Sequence, residues 1–240
     1  MTTLAEPTTH STIKHLPLAK GFQFMVRWVP SALLVIAAVL LVQSIDKPYW
    51  NMHLDAPQYD YRNGLDVIVY IDRMEGKDPK FDELRELNSL NHYIGMRNLD
   101  EAATLERSIA IQAMYTFAAL LGISAVLLAW RGRGRRWTSL GWLLMLPALS
   151  FPFVFIADLA YWLRDSGQNL DPTAPFSSSI HPFTPPVWGE GTVGQFHTIA
   201  SLDSGWEQAS TAAALMLVAV AVMLLGYIVY RWQQRKVIHA

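Results

Sequence analysis

The sequence predicts an all-α membrane protein: a four-helix transmembrane bundle, with a small mixed α/β extracytoplasmic module in the first outer loop and an irregular Pro/Gly-rich second outer loop. Three observations predict this. Apolar residues make up 52% of the 240 and charged residues only 16%, against ~25% charged in soluble domains. The apolar residues gather into four runs, each near the ~20 residues that cross a bilayer core as a helix. One side of those runs carries basic residues almost without acids, as loops that stay in the cytoplasm do.

In chain order, residues 1–27 form a cytoplasmic tail carrying Lys14, Lys20 and Arg27. The first span covers 28–46. Its apolar core exceeds the ~7–15 residues of a signal-peptide core, and no small-residue cleavage motif follows it, so the sequence predicts a retained span. Residues 47–107 form the first outer loop and 108–130 the second span. "RGRGRR" at 131–136 is a cytoplasmic loop. The third span covers 137–163, the second outer loop 164–208, the fourth span 209–230, and a cytoplasmic tail 231–240. The cytoplasmic side then holds ten basic residues and one acid, Glu6, and the opposite side nine basic and eighteen acidic residues. A multi-pass membrane protein with both termini in the cytoplasm is the expectation. Trp28, Trp130, Trp137, Trp206, Tyr230 and Trp232 stand at span ends, as an aromatic belt should. Span four is rich in Ala, which allows helices to approach closely in lipid.

The first outer loop reads as folded. Arg62-Asn63-Gly64 is a turn. Leu65, Val67, Val69 and Ile71 then alternate as in a strand. A second turn at Glu75–Pro79 leads to Phe81, Leu84, Leu87 and Leu90 at helical spacing. Asn98 and Glu101 fit a capping box, which predicts one unbroken helix from Glu101 through the second span. The second outer loop, "HPFTPPVWGEGTVGQF", is predicted to be a stiff turn-rich segment packed on the first loop or on a partner.

Several function classes drop out. The chain has no cysteine, which removes disulfides, thiolate metal sites, c-type haem and iron–sulfur clusters. The seven histidines all lie outside the spans. His10, His15 and His239 are in the tails, and a haem held between membrane helices lacks its ligands. GEGTVG spells G-x-G-x-x-G, but Pro182, Pro185 and Pro186 precede it where a dinucleotide fold needs a strand. No Walker motif, HExxH or nucleophile–base pair is present, so no enzyme activity is predicted, and RGRGRR reads as a positive-inside loop, not a nucleic-acid site.

What remains is a set of outer histidines and methionines. Met52 adjoins His53, and His92 precedes Met96 by four residues. Imidazole and thioether suit copper, the thioether favouring the cuprous state. His181 and His197 are further candidate metal ligands. The competing account is that all six pack loops together. Asp158 is the one ionisable residue inside a span, and such a carboxylate is a candidate for ion or proton handling. Its alternative is an interfacial carboxylate paired with Arg164.

Three patterns, "APQYDYRNGL" (56–65), "LNHYIGM" (90–96) and "HPFTPPVWGEGTVGQF" (181–196), together with the four spans, resemble a little-characterised family of four-span bacterial membrane proteins associated with nitrous oxide reductase maturation gene clusters. The resemblance covers most of the chain from about residue 28. It implies an accessory role beside an extracytoplasmic copper enzyme, with copper as the implied cofactor and a larger complex as the implied partner. Two other readings stay open. One is a structural subunit that binds no metal, of the kind found in membrane copper monooxygenases. The other is a small transporter centred on Asp158.

Overall fold

The computed structural model describes residues 20–130 and 135–238. In chain order its elements are α1 (Lys20–Ser44), β1 (Trp50–Asp55), β2 (Leu65–Val69), β3 (Met74–Glu75), α2 (Glu83–Ile94), α3 (Thr104–Ala129), α4 (Arg135–Gln168), β4 (Gly189–Val193), β5 (Phe196–Leu202) and α5 (Ser204–Ile238). His10, His15, His239 and most of RGRGRR lie outside the described residues.

Four helices contain stretches long and apolar enough to cross a membrane: Phe24–Ser44, Thr104–Ala129, Ser139–Gln168 and Ser204–Gln233. Each of the four outlasts or shifts its predicted run by several residues, because polar helical turns continue beyond the apolar ones. α1 packs on α3 and α5, and α4 packs on the same two. Leu34, Leu41, Met114, Leu121, Met145 and Met216 fill the space between them. The small residues of α5 behave as expected: Ala209, Ala212, Ala213 and Ala219 are buried. Val35, Val39, Ile123, Val126, Leu224 and Leu225 point outward, as a lipid-facing surface requires.

The two long loops meet at one end of these helices and build a single sheet. Its strand order is β3-β2-β1-β5-β4, and every neighbouring pair is antiparallel. Met52 of β1 stands opposite Val67 of β2 and Ala200 of β5. The second outer loop is therefore not irregular throughout. GEGTV is β4, FHTIASL is β5, and the two form a hairpin beside β1. β4 carries no apolar alternation and is an edge strand, so its pairing is set by β5, and β5 is held in turn by β1.

One residue ties the sheet to the helices. The Tyr49 ring is buried against Phe151 and Phe155 of α4. Its hydroxyl lies 2.7 Å from Ser44 Oγ, and its backbone N–H donates to the Val69 carbonyl at 2.8 Å. Burial, only partly opposed by the Ser44 contact, pushes the Tyr49 phenol up to about 12.

The unbroken helix from Glu101 does not form. Leu99–Glu101 is a short 3-10 turn, Ala103 sits at φ 49, and α3 starts only at Thr104. The Asn98 side chain donates to Glu101 Oε1 at 3.2 Å instead of capping a helix. The Leu99 N–H is taken by Asn88 Oδ1 at 2.8 Å. That bond folds 97–102 back onto α2, and the local capping signal loses to it.

Candidate functional site

Successive side chains of a strand face opposite ways, so Met52 and His53 part company. Trp50, Met52 and Leu54 face α2 and the end of α4, while Asn51, His53 and Asp55 face away. On the first side lies a cavity of about 170 Å³. For scale, an apolar cavity of ~150 Å³ accommodates benzene. Its walls are the inner face of the sheet (Met52, Val67, Thr198), α2 (Leu87, Leu90), the end of α4 (Leu159, Trp162, Leu163) and the loop Phe183–Pro186. Among the described residues no Asp, Glu, Lys, Arg or His lines it.

Each wall is fixed by a local device. Asp82 caps α2 by accepting from the Arg85 N–H at 3.0 Å. Glu83, only 4% exposed, accepts from the backbone N–H of Lys77 and Asp78 through Oε2 and of Asp66 through Oε1. This one carboxylate joins the β3–α2 turn, β2 and α2, and so aims Leu87 and Leu90 at the sheet. Gly95 ends α2 at φ 86, where its N–H donates to the Asn91 carbonyl. A Cβ there would stand 2.8 Å from the backbone of Asp171, whose N–H donates to the Gly95 carbonyl at 2.8 Å. The proline loop is pinned to α4: Gln168 Nε2 donates to the Phe183 carbonyl at 3.0 Å and to Thr184 Oγ1 at 3.1 Å. The Trp50 indole N–H donates to the Val187 carbonyl. FTPP (Phe183–Pro186) is thus one side of the cavity, and GEGTVG is an edge strand and its turn. No helix follows GEGTVG directly, as a nucleotide loop would require.

Trp162 reaches the cavity from α4. Its buried indole N–H has no acceptor in hydrogen-bond geometry, although the Asp158 carboxylate one turn earlier is close enough to act on it. The other charge near Asp158 is Glu106 of α3. The predicted ion pair with Arg164 is not among the contacts of the described residues.

The candidate metal ligands separate. Met52 and Met96 both line the cavity, and Met74 of β3 joins them. His53 lies on the opposite face of the sheet, its Nδ1 2.9 Å from Asp66 Oδ1 and its Nε2 3.3 Å from Asp55 Oδ1. His197 shares that face and lies 3.5 Å from Glu190 Oε2. His92 is exposed and edges Tyr93, because it stands off the face of α2 that buries Leu87, Asn91 and Ile94. His181 is exposed. Among the described residues no three His, Cys, Asp or Glu side chains are grouped to hold a metal. Met52 and His53 thus face opposite sides of the sheet, and His92 is exposed while Met96 lines the cavity.

Sequence reading missed Trp50, Met74, Trp162 and the Phe183–Pro186 wall. The alternation of Trp50, Met52 and Leu54 with polar residues was a signal for β1. Nothing local marks Trp162, since its role depends on the loop Phe183–Pro186, more than twenty residues further along the chain, folding back on α4. No family model matches the chain, and no curated protein or solved structure is similar to it.

Proposed function

We propose that the chain is a multi-pass plasma-membrane accessory protein, with both termini cytoplasmic and its four helices forming a transmembrane bundle. Its extracytoplasmic domain binds a small, uncharged, apolar ligand. The observation that carries this reading is the charge-free cavity enclosed jointly by both long loops and the end of α4. Concave, mainly apolar sites with few polar groups are the usual form of small-molecule sites. No catalytic arrangement of side chains accompanies the cavity, so the reading is binding, not turnover.

A second reading keeps copper. Met52, Met74 and Met96 come from three separate segments and line one small cavity, and thioethers are soft ligands suited to cuprous ion. Against it stands the cost of placing a cation where no lining carboxylate offsets lost hydration. The apolar-ligand reading is therefore the stronger.

One experiment separates the two. The protein is labelled with [13C-methyl]methionine, placed in nanodiscs, and titrated first with toluene and then, anaerobically, with cuprous ion. The apolar-ligand reading expects saturable toluene shifts at Met52, Met74 and Met96, with the helix-core Met114 and Met216 unmoved. Shifts of the same three methyls by one equivalent of cuprous ion, without any toluene response, would replace it with the copper reading. Silence to both would remove both.

A further inference from the structure

Resting on the apolar-ligand reading, we propose that the cavity receives the hydrocarbon chain of a lipid from the adjoining membrane leaflet, entering sideways between the starts of α3 and α4's far end while the rest of the lipid stays in the bilayer. Three observations favour a chain that remains membrane-bound over a ligand from water.

The first is position. Leu159, Trp162 and Leu163 line the cavity and belong to Ser139–Gln168, a candidate membrane span. On the neighbouring side Leu99 and Ala102 line it, immediately before α3. The first turns of α3 present Leu105 and Ile109 outward, 69% and 55% exposed, a surface suited to lipid. The cavity wall is thus continuous with the face of the helices that lipid would cover.

The second is size. About 170 Å³ is near the ~150 Å³ that holds one benzene, so a short stretch of chain fits and a whole lipid does not. The third is charge. A fatty acid anion or a cationic amphiphile would have to bring its head group into a lining with no counter-charge, which is costly. A neutral chain enters alone. An acyl chain of a phospholipid and a prenyl chain share this chemistry.

The test uses the full-length protein in phosphatidylcholine nanodiscs with trace photoactivatable lipid, the diazirine placed mid-chain. One arm carries it on an acyl chain and the other on a polyprenol. Adducts are mapped by mass spectrometry. The expected result is labelling at Met52 and Leu87, which lie inside the sheet end and off the lipid-facing surface, in at least one arm. The arm that labels identifies the source. Ala102→Phe, which narrows the proposed mouth, should lower that labelling at least fivefold while labelling of Leu224 and Leu225 stays constant. Leu163→Trp should do the same from the opposite side. Adducts confined to the four membrane-spanning helices in both arms would overturn the lipid proposal. If toluene still shifts the three methionines in that case, the cavity reading stands and only its ligand changes. If toluene also fails, both fall. The adduct map is read on the unaltered protein, so loss of folding in either variant leaves the decision intact.

Discussion

Replacing Glu83 with alanine removes the acceptor for three backbone N–H groups at once. Two of them, from Lys77 and Asp78, converge on Oε2, and the third, from Asp66, reaches Oε1 at 3.3 Å. The side chain is 4% exposed, so water cannot readily take over. Hydrogen bonds to a charged group are worth roughly 1.5–3 kcal/mol each. Two good bonds and one long one give about 3–5 kcal/mol, distributed over the β3–α2 turn and its anchorage to β2. A free-energy change of about 1.4 kcal/mol is tenfold in an equilibrium. Local opening should therefore rise by about two to three and a half orders of magnitude. Hydrogen exchange read by mass spectrometry on peptides spanning 74–90 measures it, with peptides from α3 and α5 as internal controls. Faster exchange in 74–90 alone supports the argument. Glu83→Gln keeps one oxygen and loses the charge, and should fall between wild type and alanine. If Glu83→Ala exchanges like wild type throughout, the carboxylate does not organise this wall of the cavity, and the account of how Leu87 and Leu90 are aimed is wrong.

Other predictions concern single contacts. Gly95→Ala places a side chain at φ 86 and against the backbone of Asp171; strain of about 1–3 kcal/mol should loosen residues 169–177 and be visible as proteolysis there before the helices are cut. Tyr49 gives an alkaline limit. Its folded value is pushed up to about 12 from an ordinary value near 10, so its contribution is present in full below pH ~10 and is lost as pH climbs toward 12, worth about 2–3 kcal/mol over that window. Tyr49→Phe should remove this alkaline loss while weakening the protein by about 1 kcal/mol at neutral pH through the missing Ser44 contact, read by thermal melting. Asp203 acts at the acid end. Burial alone would raise it, but the Ser204 backbone N–H and the Asn51 amide at 2.8 Å hold it below the ordinary carboxylate value. The stability it contributes is present above pH ~4 and is lost as pH falls, and Asn51→Leu should blunt that acid sensitivity in melts between pH 3 and 6.

How much was legible follows from the range of each force. The four helices are visible because a span needs ~20 apolar residues in sequence, and a continuous run is a local property. β2 and α2 are visible for the same reason: Leu65, Val67 and Val69 alternate, and Leu84, Leu87 and Leu90 recur at helical spacing. The absence of cysteine and the separation of charges were also complete in the sequence. The start of α3 was misread because the Asn98–Glu101 signal is local while the bond from Leu99 to Asn88 is not. The spacing of His92 and Met96 suggested a shared site, and the fold leaves His92 exposed on α2 while Met96 lines the cavity.

The sequence by itself determined the four apolar helices, the strand and helix of the first loop, and, having no cysteine, that no disulfide or thiolate metal site can form within the chain. The tertiary structure alone decided that the two loops are one domain. β5 finds β1 across about 150 residues of chain, and backbone hydrogen bonds between strands carry no residue code that could announce the pairing. The cavity follows from that pairing. Its lining comes from all five strands, α2 and the turn after it, α4 and the proline loop, segments with nothing in common until they are folded against one another, and only their enclosure makes apolar side chains that would otherwise read as ordinary core into a candidate site.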